Sequence, residues 1–124
     1  MRMHALLLIG AIMIVAEVNA APTRVSSDGH EYTLSCNGDG YVMGSLYPVV
    51  RFVGSGAATQ TVTGTETLYL GRSCDAYSKS LGTGSWCWAN GGFLVSFPAI
   101  QIGFPRQELY CPTQDDLGQS CVCR

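Results

Sequence analysis

Residues 84–97 have the sequence GSWCWANGGFLVSF, and this stretch decides the fold class. Its Asn90-Gly91 pair favours a two-residue type I′ turn, whose twist suits the flanking strands of a β-hairpin. Side chains two residues apart on a strand point to the same face. After the turn, one such face is entirely apolar and carries Phe93, Val95 and Phe97. The stretch therefore predicts an antiparallel hairpin with one face turned to a core.

The first arm of this hairpin carries Trp86 and Trp88 on either side of Cys87. Because successive strand residues alternate between faces, both indoles share one face and the cysteine lies on the other. Indoles that face outward would form an exposed apolar patch, which indicates a binding surface. Indoles that face inward would fill the core of a small domain. We expect the inward arrangement, since burying an aromatic ring contributes more than most other features of a small domain.

Short alternating segments separated by turn residues recur along the rest of the chain. They lie at residues 31–36 and 47–53, in two short strands within 61–70, and at 100–104, while NGDG at 37–40 is a turn by composition. Seven or eight short strands with Gly and Pro turns predict an all-β fold, a small antiparallel barrel or sandwich stapled by disulfides. We expect a single β-rich domain over residues 21–124, with a loose leader over 21–29 and a disulfide-tied tail over 112–124.

The first twenty residues have the pattern of a cleaved signal peptide. Arg2 precedes an uncharged apolar run over residues 5–16, and Val18 and Ala20 are small side chains at the −3 and −1 positions of a cleavage site before Ala21. The apolar run is too short for a membrane span of roughly 20 residues. The pattern predicts a protein exported to the periplasm or the extracellular medium, with no membrane attachment after cleavage.

Six cysteines lie beyond the predicted cleavage site, and an even number in a short exported chain predicts disulfides. Fifteen pairings are open. Cys121 and Cys123 are two residues apart and poorly placed to bond each other, so each should tie the tail to the body of the domain. A zinc site is the alternative, but the chain has no C-x-x-C pair and only one histidine, His30, after residue 20. We expect three disulfides among Cys36, Cys74, Cys87, Cys111, Cys121 and Cys123.

Charge and reactive side chains argue against nucleic-acid binding and catalysis. The net charge of −2 gives no basic surface for nucleic acid or anionic membranes. His30 is the one candidate base, and we expect it to be a solvent-exposed turn residue. Glu66, Asp75 and Glu108 could pair as glycosidase carboxylates, but we expect isolated, solvated acids. The sequence predicts a protein that is not an enzyme and has no cofactor or metal.

The order of elements from Tyr32 onward resembles the bacterial periplasmic inhibitors of C-type lysozyme. YTLSC at residues 32–36 is similar to the family's first strand, and SCDAY keeps Ser73 and Tyr77 at the spacing of its serine and tyrosine. WCWANGG at 86–92 takes the place of the family's aromatic and Lys-Gly step. The resemblance implies a small exported barrel whose first-strand cysteine bonds a cysteine near the C-terminus. It also implies a serine and a lysine that enter the lysozyme cleft and meet the catalytic carboxylates.

Two positions depart from that pattern. Cys74 stands where the family has glycine, and Asn90 stands where it has lysine. Lys79 is the sole lysine of this chain, so the cation would have to come from an adjacent loop.

The sequence therefore predicts an exported, non-enzymatic protein that binds a protein partner, in its most specific form a lysozyme whose active-site cleft it plugs. A carbohydrate-binding module that stacks glycans on Trp86 and Trp88 is one alternative, and a structural secreted protein is another. The oligomeric state stays open. The residues expected to bind the partner are Ser73, Tyr77, Lys79, Trp86, Trp88 and Asn90.

Overall fold

The computed structural model describes residues 10–11, 22–111 and 117–124. Most of the predicted signal peptide and part of the predicted tail lie outside these residues. The described part is built of short β-strands with a single 3₁₀ turn at Gly56–Ala58, and no helix within it is long and apolar enough to cross a membrane. The strands are β1 (Thr23–Val25), β2 (Glu31–Asn37), β3 (Gly40–Ser45), β4 (Val49–Val53), β5 (Gln60–Gly64), β6 (Thr67–Gly71), β7 (Asp75–Ser78), β8 (Gly82–Ala89), β9 (Gly92–Ser96) and β10 (Gln101–Pro105).

Eight of the strands form one antiparallel sheet in the order β1-β2-β3-β6-β7-β8-β9-β10. The two edge strands approach each other: the Ser27 N–H donates to the Gly103 carbonyl at 2.8 Å, and the Gln107 side chain bonds both the N–H and the carbonyl of Val25. The sheet is thus a nearly closed barrel, which confirms the predicted all-β class. The β4–β5 hairpin forms a separate two-stranded sheet.

The leader over residues 21–29 was expected to be loose, and this is wrong for Thr23–Val25. These residues form β1, paired antiparallel with Glu31–Thr33 of β2. Nothing in the composition of this short polar segment indicates a strand. Its pairing comes from the exposed backbone edge of β2, which any three extended residues can satisfy.

The predicted hairpin at residues 84–97 is confirmed, with β8 and β9 in register from Ser85↔Ser96 to Ala89↔Gly92. The type I′ turn is wrong, because that turn requires positive φ at both central residues. Only Gly91 has a positive φ, of 72°, and Asn90 has not. In this turn the left-handed conformation is therefore taken by Gly91 and not by Asn90, and glycine adopts it readily because it has no Cβ.

The barrel interior is aromatic and aliphatic. Phe93 and Phe104 stack there with 4.6 Å between ring centroids. Trp86 is 2% exposed, so the expectation that the indoles face the core is confirmed for Trp86. Trp88 is half-buried and packs edge-on against Trp86 at 5.3 Å. The other fully buried large side chains include Tyr32, Met43, Leu68, Leu70 and Val95.

Three disulfides fasten the chain, as the cysteine count predicts. They join Cys36 to Cys111, Cys74 to Cys121 and Cys87 to Cys123. The last two tie the C-terminal residues to the ends of β7 and β8, as expected from the spacing of Cys121 and Cys123. The tail residues Leu117 and Cys121 are buried in the core cluster, so this segment closes one end of the barrel. Disulfides of this kind persist in oxidising, extracellular-type compartments.

Candidate functional site

The outer face of β6 and β7 carries an exposed pair of aromatic rings. Tyr69 lies directly opposite Tyr77, with ring centroids 6.2 Å apart and planes tilted by 33°. Their side chains are 44% and 48% exposed. The pair points outward because the alternate residues of both strands, among them Leu70 and Ala76, are buried in the barrel. The rings are therefore held on a rigid sheet while remaining accessible to a partner.

A groove of about 610 Å³ lies beside this pair, between the start of β6 and the β7–β8 turn. Tyr69 and Tyr77 form one wall and Lys79 and Ser80 form another. Lys79 and Ser80 are exposed turn residues, whereas Ser78 is buried and its hydroxyl lies 3.5 Å from that of Ser80. A smaller groove of about 170 Å³ adjoins the other side of the tyrosines. The two grooves and the rings between them make one continuous surface, which we call the tyrosine groove.

The floor of this groove reaches a buried polar cluster. Glu66, one of the lining residues, accepts hydrogen bonds from the Tyr32 hydroxyl at 2.7 Å and from Arg51 Nε at 2.6 Å. The Glu66 carboxylate was expected to be solvated, and this is wrong, since the residue is 5% exposed. Arg51 neutralises it, so Lys79 is the cation that the described lining residues present to solvent.

Their surroundings raise the pKa values of two groups in this cluster, Tyr32 and Arg51. Burial raises the pKa of the Tyr32 hydroxyl, and the neighbouring Glu66 carboxylate raises it further. Burial alone would lower the pKa of Arg51, but the hydrogen bonds and charge of Glu66 outweigh this and raise it. A neutral phenol and a guanidinium paired with a carboxylate are not poised to exchange protons near pH 7. The cluster fits a structural role.

Sequence reasoning missed Arg51, although the pattern contains a signal for it. In the strand VVRFV, Arg51 is two residues from Val49, and both are buried, while Val50 and Phe52 are exposed. An arginine whose position in the strand alternation turns its side chain inward needs a buried acid as its partner. The sequence alone does not say which acid.

The structure separates the residues predicted to bind a partner. β7 runs from the turn that contains Ser73 to the turn that contains Lys79, and a four-residue strand spans about 10 Å. β8 runs antiparallel to β7, so Asn90, which follows the last residue of β8, lies at the same end of the barrel as Ser73. Tyr77 and Lys79 therefore share the tyrosine groove, whereas Ser73 and Asn90 are exposed at the opposite end of the barrel.

The two tryptophans do not form an exposed stacking surface. The Trp86 indole N–H donates to the Gly71 carbonyl at 2.7 Å, and the ring is buried in the core, where it has almost no surface to offer a partner. The Trp88 indole N–H donates to the Gly118 carbonyl at 2.9 Å. An edge of Trp88 lines two cavities of about 410 and 320 Å³, each shared with Glu108. Only Trp88 is thus accessible to a ligand.

The remaining candidates from the sequence are His30, Asp75 and Glu108. His30 is partly buried rather than solvent-exposed, and its Nδ1 lies 3.2 Å from the Asp28 carboxylate. Within the described residues, no three His, Cys, Asp or Glu side chains are grouped as metal ligands would be. Asp75 and Glu108 are exposed, as expected. Comparison of the chain with protein-family models, with curated proteins and with solved structures gives no match.

Proposed function

We propose that this chain is an exported, non-enzymatic binding protein that engages a macromolecular partner through the tyrosine groove, and that a C-type lysozyme is that partner. The observation that carries the proposal is the exposed Tyr69–Tyr77 pair on a rigid sheet beside Lys79. Tyrosine is enriched among the residues that dominate binding at protein interfaces, because its ring is large, rigid and amphipathic.

Lys79 and Ser80 support the lysozyme form of this proposal. A lysozyme cleft contains catalytic carboxylates, and a cation with a hydroxyl beside it is the chemistry that pairs with them. The two side chains are neighbours on the β7–β8 turn, and both are exposed and accessible to a partner. In this proposal Lys79 and Ser80 make the contact with the carboxylates, because Ser73 and Asn90 lie too far from Lys79 to act with it. The resemblance from Tyr32 onward supports the same partner.

Lysozyme inhibition is tested by clearing of a bacterial cell-wall suspension by a C-type lysozyme, with and without residues 21–124 refolded under oxidising conditions. We expect inhibition that saturates near one equivalent of protein. Lys79→Ala should weaken it about tenfold or more, since a charge pair within an interface contributes roughly 1.5 kcal/mol or more. Arg106→Ala is the control, because it removes an exposed cation just beyond β10, three strands away from β7 in the sheet. Full lysozyme activity with a large excess of the protein would contradict the proposal.

Glycan binding on the same groove is the second candidate, and one observation favours it. The exposed aromatic pair consists of Tyr69 and Tyr77 in place of the predicted tryptophans, and Thr65, Thr67 and Ser80 provide hydroxyl groups around it. An apolar ring surface with a few polar groups at its rim fits a sugar ring. Glycan binding should be lost in Tyr77→Ala and kept in Lys79→Ala, whereas lysozyme binding should be weakened in both.

A further inference from the structure

The β4–β5 hairpin presents an apolar surface that the barrel does not use. Leu46, Tyr47, Val50 and Phe52 are 42%, 69%, 48% and 69% exposed, and all four lie within seven residues. Val50 and Phe52 alternate with Val49 and Arg51, which face the barrel, so the outward face of β4 is apolar as a whole. Large apolar and aromatic side chains carry roughly 150–250 Å² each, which makes roughly 450 Å² of exposed apolar surface here. Contiguous patches of this size are often interaction sites.

The same hairpin has unpaired backbone. β4 pairs with β5 alone, in register from Val49↔Gly64 to Val53↔Gln60. Among the described residues, no backbone hydrogen bond connects either strand to another strand of the molecule. The outer edges therefore offer free N–H and C=O groups, which are a template for a further strand.

The hairpin surface is also uncharged. Between Leu46 and Gly64 the single charged residue is Arg51, and its guanidinium is turned inward to Glu66. Free edges are commonly protected by outward lysines or glutamates, and this one has neither. A complementary partner must therefore be apolar, uncharged and able to add a strand. The hairpin itself has all three properties, so two copies can meet there without like-charge repulsion in spite of the net charge of −2.

We propose that β4 pairs antiparallel with β4 of a second copy of this chain, which forms a four-stranded sheet across a twofold axis. Such pairing lays Val50 and Phe52 of the two copies side by side. A stable interface buries roughly 800 Å² on each partner, so the apolar patch supplies about half of this area and the strand edges and flanking residues supply the rest. The dimer rests on an apolar patch smaller than a standard interface, so we expect a weak and reversible association. It leaves the tyrosine groove, which is on β6 and β7, free for its partner, and it does not depend on the function proposed for that groove.

Sedimentation equilibrium of the disulfide-bonded protein between about 1 and 300 μM tests the dimer. We expect a reversible monomer–dimer equilibrium. Phe52→Lys should raise the dimer Kd about 30-fold or more, the effect of a central interface residue. Tyr110→Lys places the same charge on an aromatic residue that is equally exposed, at 68%, but lies outside the hairpin and the tyrosine groove, and it should leave the Kd unchanged. Equal urea midpoints for the two variants show that neither effect comes from unfolding.

Three results would overturn the proposal. The first is a monomer at 300 μM, and the second is a dimer that Phe52→Lys does not weaken. The third is open-ended growth beyond two copies, which would show head-to-tail rather than twofold pairing. If the first result is found, co-sedimentation of the monomer with phosphatidylcholine vesicles would assign the apolar face to lipid instead.

Discussion

Arg51 donates hydrogen bonds to both carboxylate oxygens of Glu66, from Nε to Oε2 at 2.6 Å and from Nη2 to Oε1 at 2.8 Å. Both residues are buried, and Nη2 also donates to the Tyr32 hydroxyl at 2.9 Å. Arg51 belongs to the β4–β5 hairpin, whereas Glu66 immediately precedes β6 of the barrel. No backbone hydrogen bond connects the hairpin strands to the barrel strands among the described residues, so this ion pair is the main polar connection between them.

The first prediction concerns removal of one member of that pair. Glu66→Gln leaves the buried Arg51 guanidinium with only the half-exposed Asp28 carboxylate, 3.2 Å from Nη1, as a counter-charge. Breaking a buried pair costs roughly 3–5 kcal/mol, and we expect a loss near the lower end of this range. The double variant Arg51→Met, Glu66→Leu removes both charges. Its loss of unfolding free energy should be clearly smaller than the sum of the losses in Arg51→Met and in Glu66→Leu. Urea unfolding with the disulfides intact measures each change. Arg72→Met, at an exposed arginine, is the control, and additive losses in the double variant would contradict the prediction.

The second prediction is the acid dependence of stability through Asp28. Burial alone would raise the pKa of this carboxyl, but the Ser26 hydroxyl and the charges of His30 and Arg51 outweigh it, so the pKa lies below its usual value. A carboxyl with a lowered pKa in the folded state stabilises the protein above its unfolded pKa of about 3.9, and the stabilisation is lost as the pH falls through the folded value.

We therefore expect the urea midpoint to fall below about pH 4, and to fall less steeply in Asp28→Asn. The variant should be less stable than the wild type at pH 7 and should approach it near pH 2. Asp39→Asn removes an exposed acid from the β2–β3 turn and should retain the wild-type slope. A steeper slope in Asp28→Asn would mean that the carboxylate opposes folding.

Local patterns predicted the hairpins well, because strand alternation and turn residues act over a few positions. The arms of β8 and β9 follow from Phe93, Val95 and the Asn-Gly pair, and the three disulfides follow from the cysteine count. Strand β1 could not be predicted, because its stability comes from pairing with β2 and its own residues carry no pattern.

The site was harder to predict, because it depends on which end of the barrel each turn occupies. The sequence pattern did not show that residues 75–78 form a strand. Without β7, Ser73 and Lys79 look like neighbours, whereas the strand between them carries them to opposite ends. Tyr69 was missed for the same reason, since its ring gains significance only when Tyr77 lies opposite it. The sequence shows residue types, but the register brings them together.

The third prediction distinguishes the two tryptophans by their accessibility. Trp86 is 2% exposed, whereas an edge of Trp88 lines two surface cavities. Iodide quenches only indoles that it can reach. The fluorescence of Trp86→Phe, which retains Trp88, should be quenched several-fold more than that of Trp88→Phe, which retains Trp86. The two variants should be quenched equally in 6 M guanidinium, which would show that the difference comes from the fold. Equal quenching of the two native variants would mean that Trp86 is exposed to solvent, and would contradict the prediction.

The fourth prediction concerns Gly118, which holds the C-terminal segment against the core. Its φ is 67°, and a Cβ added there would overlap the Trp86 ring, 2.8 Å from Cη2. Gly91 has a similar φ of 72°, but a Cβ added there meets nothing within 4 Å. Gly91→Ala should therefore cost only the backbone strain of the left-handed conformation, roughly 1–2 kcal/mol.

Gly118→Ala should cost that strain and a further 1–3 kcal/mol, roughly the cost of overpacking a core. The extra loss should appear with a shift in Trp86 fluorescence, because the ring must move to admit the methyl group. Urea unfolding of the two variants, with all disulfides formed, measures the difference between them directly. Equal losses in Gly118→Ala and Gly91→Ala would mean that the tail yields without disturbing Trp86, and would contradict the prediction.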